Sequence, residues 1–203
     1  PSDIHLSGAE IELSHKIGRE TRLREALLPI VDNFDYIIID TPPSLGLLSI
    51  NAMCAANWVM VPVQAEYYAL EGFSMLMNSI KMIQRRINRQ LKIFGVVMTM
   101  VDSRSKLSRH VCDQVNTKMP NKLFNTTVRR LVKVAEAPWS GAPTVILNKP
   151  TNSGSGAGSL EYWTLAKEFH QRTLEMRREF GVSEVPRLLL DRQNRQNPTA
   201  PPN

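Results

Sequence analysis

Apolar positions follow two rhythms along the chain. Short runs rich in β-branched residues lie at 36–39 (YIII), 58–63 (WVMVPV), 94–100 (FGVVMTM) and, more weakly, 123–128 (LFNTTV). Between them, apolar residues recur every three or four positions, which predicts helices over 20–31, 45–56, 69–88, 107–119 and 160–180. All but the last of the short runs are almost continuously apolar, as expected of strands covered on both faces by helices. The alternation predicts βα units and an α/β fold built on a mostly parallel sheet. In the final helix Leu160, Trp163, Ala166, Phe169, Thr173, Met176 and Phe180 form one stripe. That stripe predicts a face docked on the sheet, with Gly181 ending the helix.

Composition narrows the class. With 203 residues and 42% hydrophobic content the chain can bury one sizeable core. No apolar run approaches the roughly 18 residues of a membrane span. The opening stretch PSDIHLSGAEIEL has neither the basic start nor the apolar centre of a secretory signal. Cys54 and Cys112 lie far apart without metal-type spacing, which is the usage of a reduced compartment. SGSGAGS at 153–159 lacks the Lys and Ser/Thr of a phosphate loop and reads as a connector. Beyond residue 183 the Pro-, Asn- and Gln-rich composition predicts a disordered tail over 184–203, leaving 1–183 as the folded domain.

Charge divides the chain more sharply than its total of +6 suggests. Residues 1–80 carry 10 acidic and 4 basic side chains, and residues 81–203 carry 9 and 21. The basic part suits a polyanion such as DNA, and equally a solvated surface with a basic tail.

Asp40 stands at the end of the run YIIID, before Thr41 and two prolines. A carboxylate there has two readings. It is a cap for the helix that follows, or a carboxylate facing the ligand crevice beyond the strand ends, where it would hold nucleotide-bound Mg²⁺ directly or through water.

The strings IIIDTPPSLGLLSINA, PVQAEYYALEG and TMVDSR, with EAP at 136–138, GAEIEL at 8–13 and RETRL at 19–23, resemble the ParA/Soj partition ATPases, relatives of MinD. The resemblance runs from about residue 1 to residue 169. It implies a P-loop NTPase-like fold, an ATP-dependent homodimer and non-specific DNA binding in the ATP state. A ParB-like partner that stimulates hydrolysis, a plasmid or chromosome as cargo, and a cytoplasmic, nucleoid-associated location are implied with them. Asp40 would serve catalysis and the hydration shell of Mg²⁺. Thr41, Pro42 and Arg130 would lie at the ATP, and Gln64 and Glu66 would border the ligand edge and dimer face. Arg104 and Lys133 would contact DNA phosphates without reading sequence.

Two departures accompany the resemblance. No Gly-Lys dipeptide occurs in the 203 residues, so the family's lysine-bearing phosphate loop is expected on polypeptide ahead of them, and the chain alone is expected to be inactive. At 128–132 (VRRLV), Arg129 and Leu131 stand where the family has Pro and Asn, in a segment that forms part of its adenine pocket. A non-enzymatic DNA-binding relative is therefore a second expectation. A MinD-like membrane ATPase is disfavoured, because PTAPPN at 198–203 forbids a terminal amphipathic helix.

Overall fold

The computed structural model describes residues 6–42, 44–147 and 157–179. Pro43, most of the connector at 153–159, Phe180, Gly181 and the tail at 184–203 lie outside the described residues. The chain divides into two compact units, one reaching Ala55 and resuming at Arg172, the other running from Ala56 to Gln171.

The first unit contains α1 (Leu6–Ser14), α2 (Arg22–Leu27), a 3-10 turn at Val31–Asn33 and α3 (Leu47–Ala55). Its polar centre is Asn51, which is 3% exposed. The amide Nδ2 of Asn51 donates to the Arg19 and Leu47 carbonyls at 2.7 and 2.9 Å. Its Oδ1 accepts the Leu23 N–H at 3.2 Å. A buried amide satisfied in this way ties α2 to α3. The expected helix over 20–31 is realised only as α2 and the short 3-10 turn.

The run at 36–39 is not a strand. No ladder reaches it among the described residues, and Ile38 is 84% exposed. β-propensity alone does not make a strand, because the backbone N–H and C=O groups need a neighbour to pair with.

The second unit holds β1 (Trp58–Gln64), α4 (Ala69–Arg86), β2 (Lys92–Thr99), α5 (Lys106–Lys118), α6 (Val132–Glu136), α7 (Thr144–Leu147) and the beginning of α8 (Ala157–Glu179). β1 and β2 pair in parallel, with a register shift between Val59 and Met60. The crossover is α4, whose Phe73, Met77, Ile80 and Ile83 recur at helical spacing and are buried. Phe94 to Met98 are all buried, so both faces of β2 are covered. Phe94 is the hub, its ring 5.5 Å from Trp58, 5.7 Å from Phe124 and 4.8 Å from Phe169.

The weak run at 123–128 becomes an irregular third lane alongside β2. Parallel bridges join Val96 to Leu123 and Val101 to Arg129. The Phe124 N–H donates to Val96 O and the Val128 N–H to Met98 O, at 2.8 and 2.9 Å.

The expected stripe of α8 docks only in part. Leu160 and Trp163 remain 55% and 50% exposed, and Ala166 is exposed as well. Phe169 meets Phe94 as expected, but the docked side of the first turns also carries Glu161 and Glu168. These carboxylates accept backbone N–H groups that the irregular third lane leaves without ladder partners. That need rotates the helix away from its most apolar face.

Candidate functional site

In the first unit, Asp40, Thr41 and Pro42 form an exposed irregular stretch ahead of α3. The N-terminus of α3 takes its carboxylate from elsewhere. Glu10 Oε1 accepts the Leu48 N–H at 3.1 Å, offsetting an orphan donor of the first turn. Gly46 permits this approach, because a Cβ there would press on the end of the Glu10 side chain. The Ser49 hydroxyl donates to Ser44 O at 2.6 Å and steadies the turn. Asp40 is thus outside the cap of α3, and its carboxylate accepts no hydrogen bond from the described residues.

The second unit has its own edge, where the parallel strands end. The Ala65 N–H donates to Thr99 O at 2.9 Å as β1 finishes. At Met100 the chain adopts φ 53°, a left-handed conformation rare for a side chain of this size. One residue later Val101 has joined the third lane, donating its N–H to Val128 O at 3.1 Å and accepting the Arg130 N–H at 3.4 Å. Strain of this kind costs about 1–3 kcal/mol and is commonly found at functional edges. Pairing with β1 ends at Thr99, while Val101 continues alongside the third lane.

The cations of this edge are in different states. Arg130 donates to the Glu66 carboxylate just past β1. Arg129 is held by Glu161, which accepts its backbone N–H at 2.9 Å and its guanidinium as well. Arg104 sits in the turn between β2 and α5, its N–H donated to Asp102 Oδ1 at 2.9 Å, and Ser105 caps α5 by accepting the Ser108 N–H at 3.3 Å. Lys133 is exposed in the first turn of α6. Neither Arg104 nor Lys133 forms an ion pair with any described residue.

The Val101–Arg129 bridge places the two chain exits side by side, so Arg104 and Lys133 leave the same edge of the sheet. Gln64 and Glu66 stand there too, lining a groove of about 310 Å³ with Pro62, Tyr68, Gly72 and Phe73. Tyr67 and Tyr68, 69% and 80% exposed, stack edge-on beside it at 5.4 Å. Asp40, Thr41 and Pro42 belong to the other unit.

Three features of these sites carry no local sequence signal. Glu161 and Glu168, seven residues apart on α8, hold the third lane from the side. The Glu168 carboxylate accepts the Asn125 and Thr126 N–H groups at 2.8 Å each and the Thr126 hydroxyl at 2.6 Å. Glu10 and the backbone of Met100 are equally silent in the sequence. Burial pushes the Cys54 and Cys112 thiols up from their ordinary range, which disfavours their thiolates. Among the described residues, no helix is long and apolar enough to cross a membrane.

Comparison with known proteins gives these edges a context. The family model described as "AAA domain" matches residues 1–93. The sporulation initiation inhibitor protein Soj of Bacillus subtilis is 47% identical over 168 residues, covering 83% of this chain and 64% of that protein. The chromosome-partitioning ATPase Soj of Treponema pallidum is 42% identical over 172 residues, covering 85% of this chain and 66% of its own length. Among solved structures, the cobyrinic acid a,c-diamide synthase of Mycobacterium smegmatis with bound ADP and magnesium aligns at a TM-score of 0.60 and 35% identity. That alignment covers 68% of this chain and 60% of that one. The chain therefore spans just under two thirds of the length of the two Soj relatives. With this identity spread over most of its length, and a parallel sheet of the kind the P-loop NTPase fold uses, the chain belongs to the ParA/Soj family of the MinD/ParA group.

Proposed function

We propose that residues 1–183 are the carboxyl-terminal part of a ParA-type ATPase domain, in a protein that binds DNA non-specifically as an ATP-dependent dimer and drives partition of a plasmid or chromosome. The observation that carries this reading is the pair Arg104 and Lys133, exposed and without ion-pair partners, leaving one edge of the sheet in a chain of this family. Such cations neutralise phosphates without contacting bases, which is what transport along arbitrary DNA needs. A nucleoid location and a ParB-like partner accompany this function.

The nucleotide would be ATP with Mg²⁺. Asp40 offers a hard carboxylate next to the Thr41 hydroxyl on an exposed stretch, and that donor chemistry suits Mg²⁺. Among the described residues no three His, Cys, Asp or Glu side chains gather to hold a metal, so the other ligands would be phosphate oxygens and water. Thr41 and Pro42 would shape the turn beside the phosphates. Arg130 would reach the nucleotide on release from Glu66, or through its backbone. The phosphate-cradling lysine would come from polypeptide outside the 203 residues, since no Gly-Lys dipeptide occurs in them. Translating the DNA upstream of residue 1 tests this: a glycine-rich, lysine-bearing loop is expected in frame, and a stop codon there overturns the ATPase reading.

For the DNA site, Arg104→Glu should weaken duplex binding by about tenfold or more on every sequence while leaving ATP binding unchanged. Undiminished DNA affinity would remove Arg104 from the interface. A second reading, a DNA-binding relative without nucleotide chemistry, is favoured by Arg129, whose backbone N–H is committed to Glu161 at a position where the family has proline. Saturable Mg²⁺-ATP binding by the complete protein would eliminate it.

A further inference from the structure

The opposite end of the same sheet carries a second group of cations that the proposed DNA edge does not use. Between Glu71 and Asp102 there is no acidic residue, and there are five basic ones, Lys81, Arg85, Arg86, Arg89 and Lys92. The buried side of α4 is Phe73, Met77, Ile80 and Ile83, so its other side faces solvent with Lys81, Arg85 and Arg86 exposed on it. Arg89 is exposed on the turn that follows. None of these four forms an ion pair with a described residue.

The turn that presents Arg89 is built rather than loose. Asn88 Nδ2 donates to Ala56 O at 2.9 Å, Asn88 Oδ1 accepts the Gln90 N–H at 3.2 Å, and Gln84 Nε2 donates to Leu91 O at 2.8 Å. The N–H groups of Ile87 and Asn88 both return to Ile83 O at 2.9 Å, closing α4. The last-turn arginines have an ordinary structural use, since cations there offset the negative end of the helix dipole. That accounts for Arg85 and Arg86. It does not account for Lys81, more than a turn earlier, or for Arg89, beyond the helix.

We propose that Lys81, Arg85, Arg86 and Arg89 form a second phosphate-binding surface, separate from Arg104 and Lys133, that takes the DNA backbone. β2 runs from Lys92 to Thr99 between the two groups, a length of roughly 26 Å for eight residues, so no single phosphate can serve both. Four like charges within nine residues can displace condensed counterions from a polyanion's phosphates, and a pinned turn loses little freedom on binding. This inference rests on the reading of the protein as a DNA-binding ParA-type ATPase.

The test uses the complete protein with Mg²⁺-ATP and two duplexes of unrelated sequence, measured across a series of salt concentrations. Replacing all four residues by alanine should lower the slope of log affinity against log salt by about 0.9 for each phosphate contact removed, equally on both duplexes. The pair Lys81→Ala with Arg89→Ala leaves the helix end intact and should lower the slope by up to about 1.8, with unchanged thermal unfolding. Slopes and affinities equal to wild type in both variants, while Arg104→Glu weakens binding, overturn this surface and leave the parent reading standing. A wild-type protein with no affinity for either duplex overturns both.

Discussion

Gly95 has no room for a methyl group. A Cβ there would lie 2.6 Å from Phe124 Cε2 and 2.8 Å from the Lys122 carbonyl, a backbone atom that Val96 N–H also binds at 2.8 Å. The glycine is what lets the third lane approach β2, so Gly95→Ala pushes against backbone as well as ring. Overpacking of this kind costs about 1–3 kcal/mol. Chemical denaturation of Gly95→Ala should show a lowered midpoint, and an unchanged midpoint would mean that the lane shifts freely. Sequence patterning marks residue 95 as part of an apolar run and nothing more. The need for glycine comes from a chain segment about 29 residues away. Gly46 differs, because a Cβ there would meet only the movable end of the Glu10 side chain.

At the scale of elements, α4 and α5 were legible because their partners are local. Their apolar periodicity matches the faces they bury, and both stand within two residues of the predicted bounds. α8 was legible as a helix but not in its orientation. Its periodicity marks Leu160, Trp163 and Ala166 as inward, whereas hydrogen bonding to the third lane brings Glu161 and Glu168 there. A side-chain carboxylate bound to backbone N–H groups is a charge-assisted contact, worth about 1.5–3 kcal/mol. Glu168→Gln keeps the shape but sets an amide donor against one of those N–H donors. Faster hydrogen exchange at Asn125 and Thr126 and a loss of about 1–3 kcal/mol are expected, with no gain from higher salt. Exchange rates equal to wild type would show that the ladder to β2 holds the lane unaided. Tyr36, Ile37, Ile38 and Ile39 teach the reverse lesson, since their β-propensity finds no ladder among the described residues.

Across the whole molecule, charge and chemistry are distributed between the two compact units. Asp40 belongs to the first, and the basic edge with Arg104 and Lys133 to the second. Under the proposed function, coupling nucleotide to DNA belongs to the complete protein, and it is there that Asp40 is tested. Asp40→Ala should abolish most Mg²⁺-dependent ATP turnover while leaving the fold intact, because Asp40 accepts no hydrogen bond from the described residues. Turnover at the wild-type rate would remove the carboxylate from the chemistry. The sequence by itself determined the α/β class, the parallel pairing of the runs at 58–63 and 94–100, the asymmetry of charge and the family, because these reside in local periodicity and in strings of adjacent residues. Only the tertiary structure decided which face of α8 turns inward, which carboxylate caps α3, which arginines are already paired and where β2 leaves β1. Each of those depends on hydrogen-bond donors and acceptors brought together from distant parts of the chain, and local pattern carries no record of them.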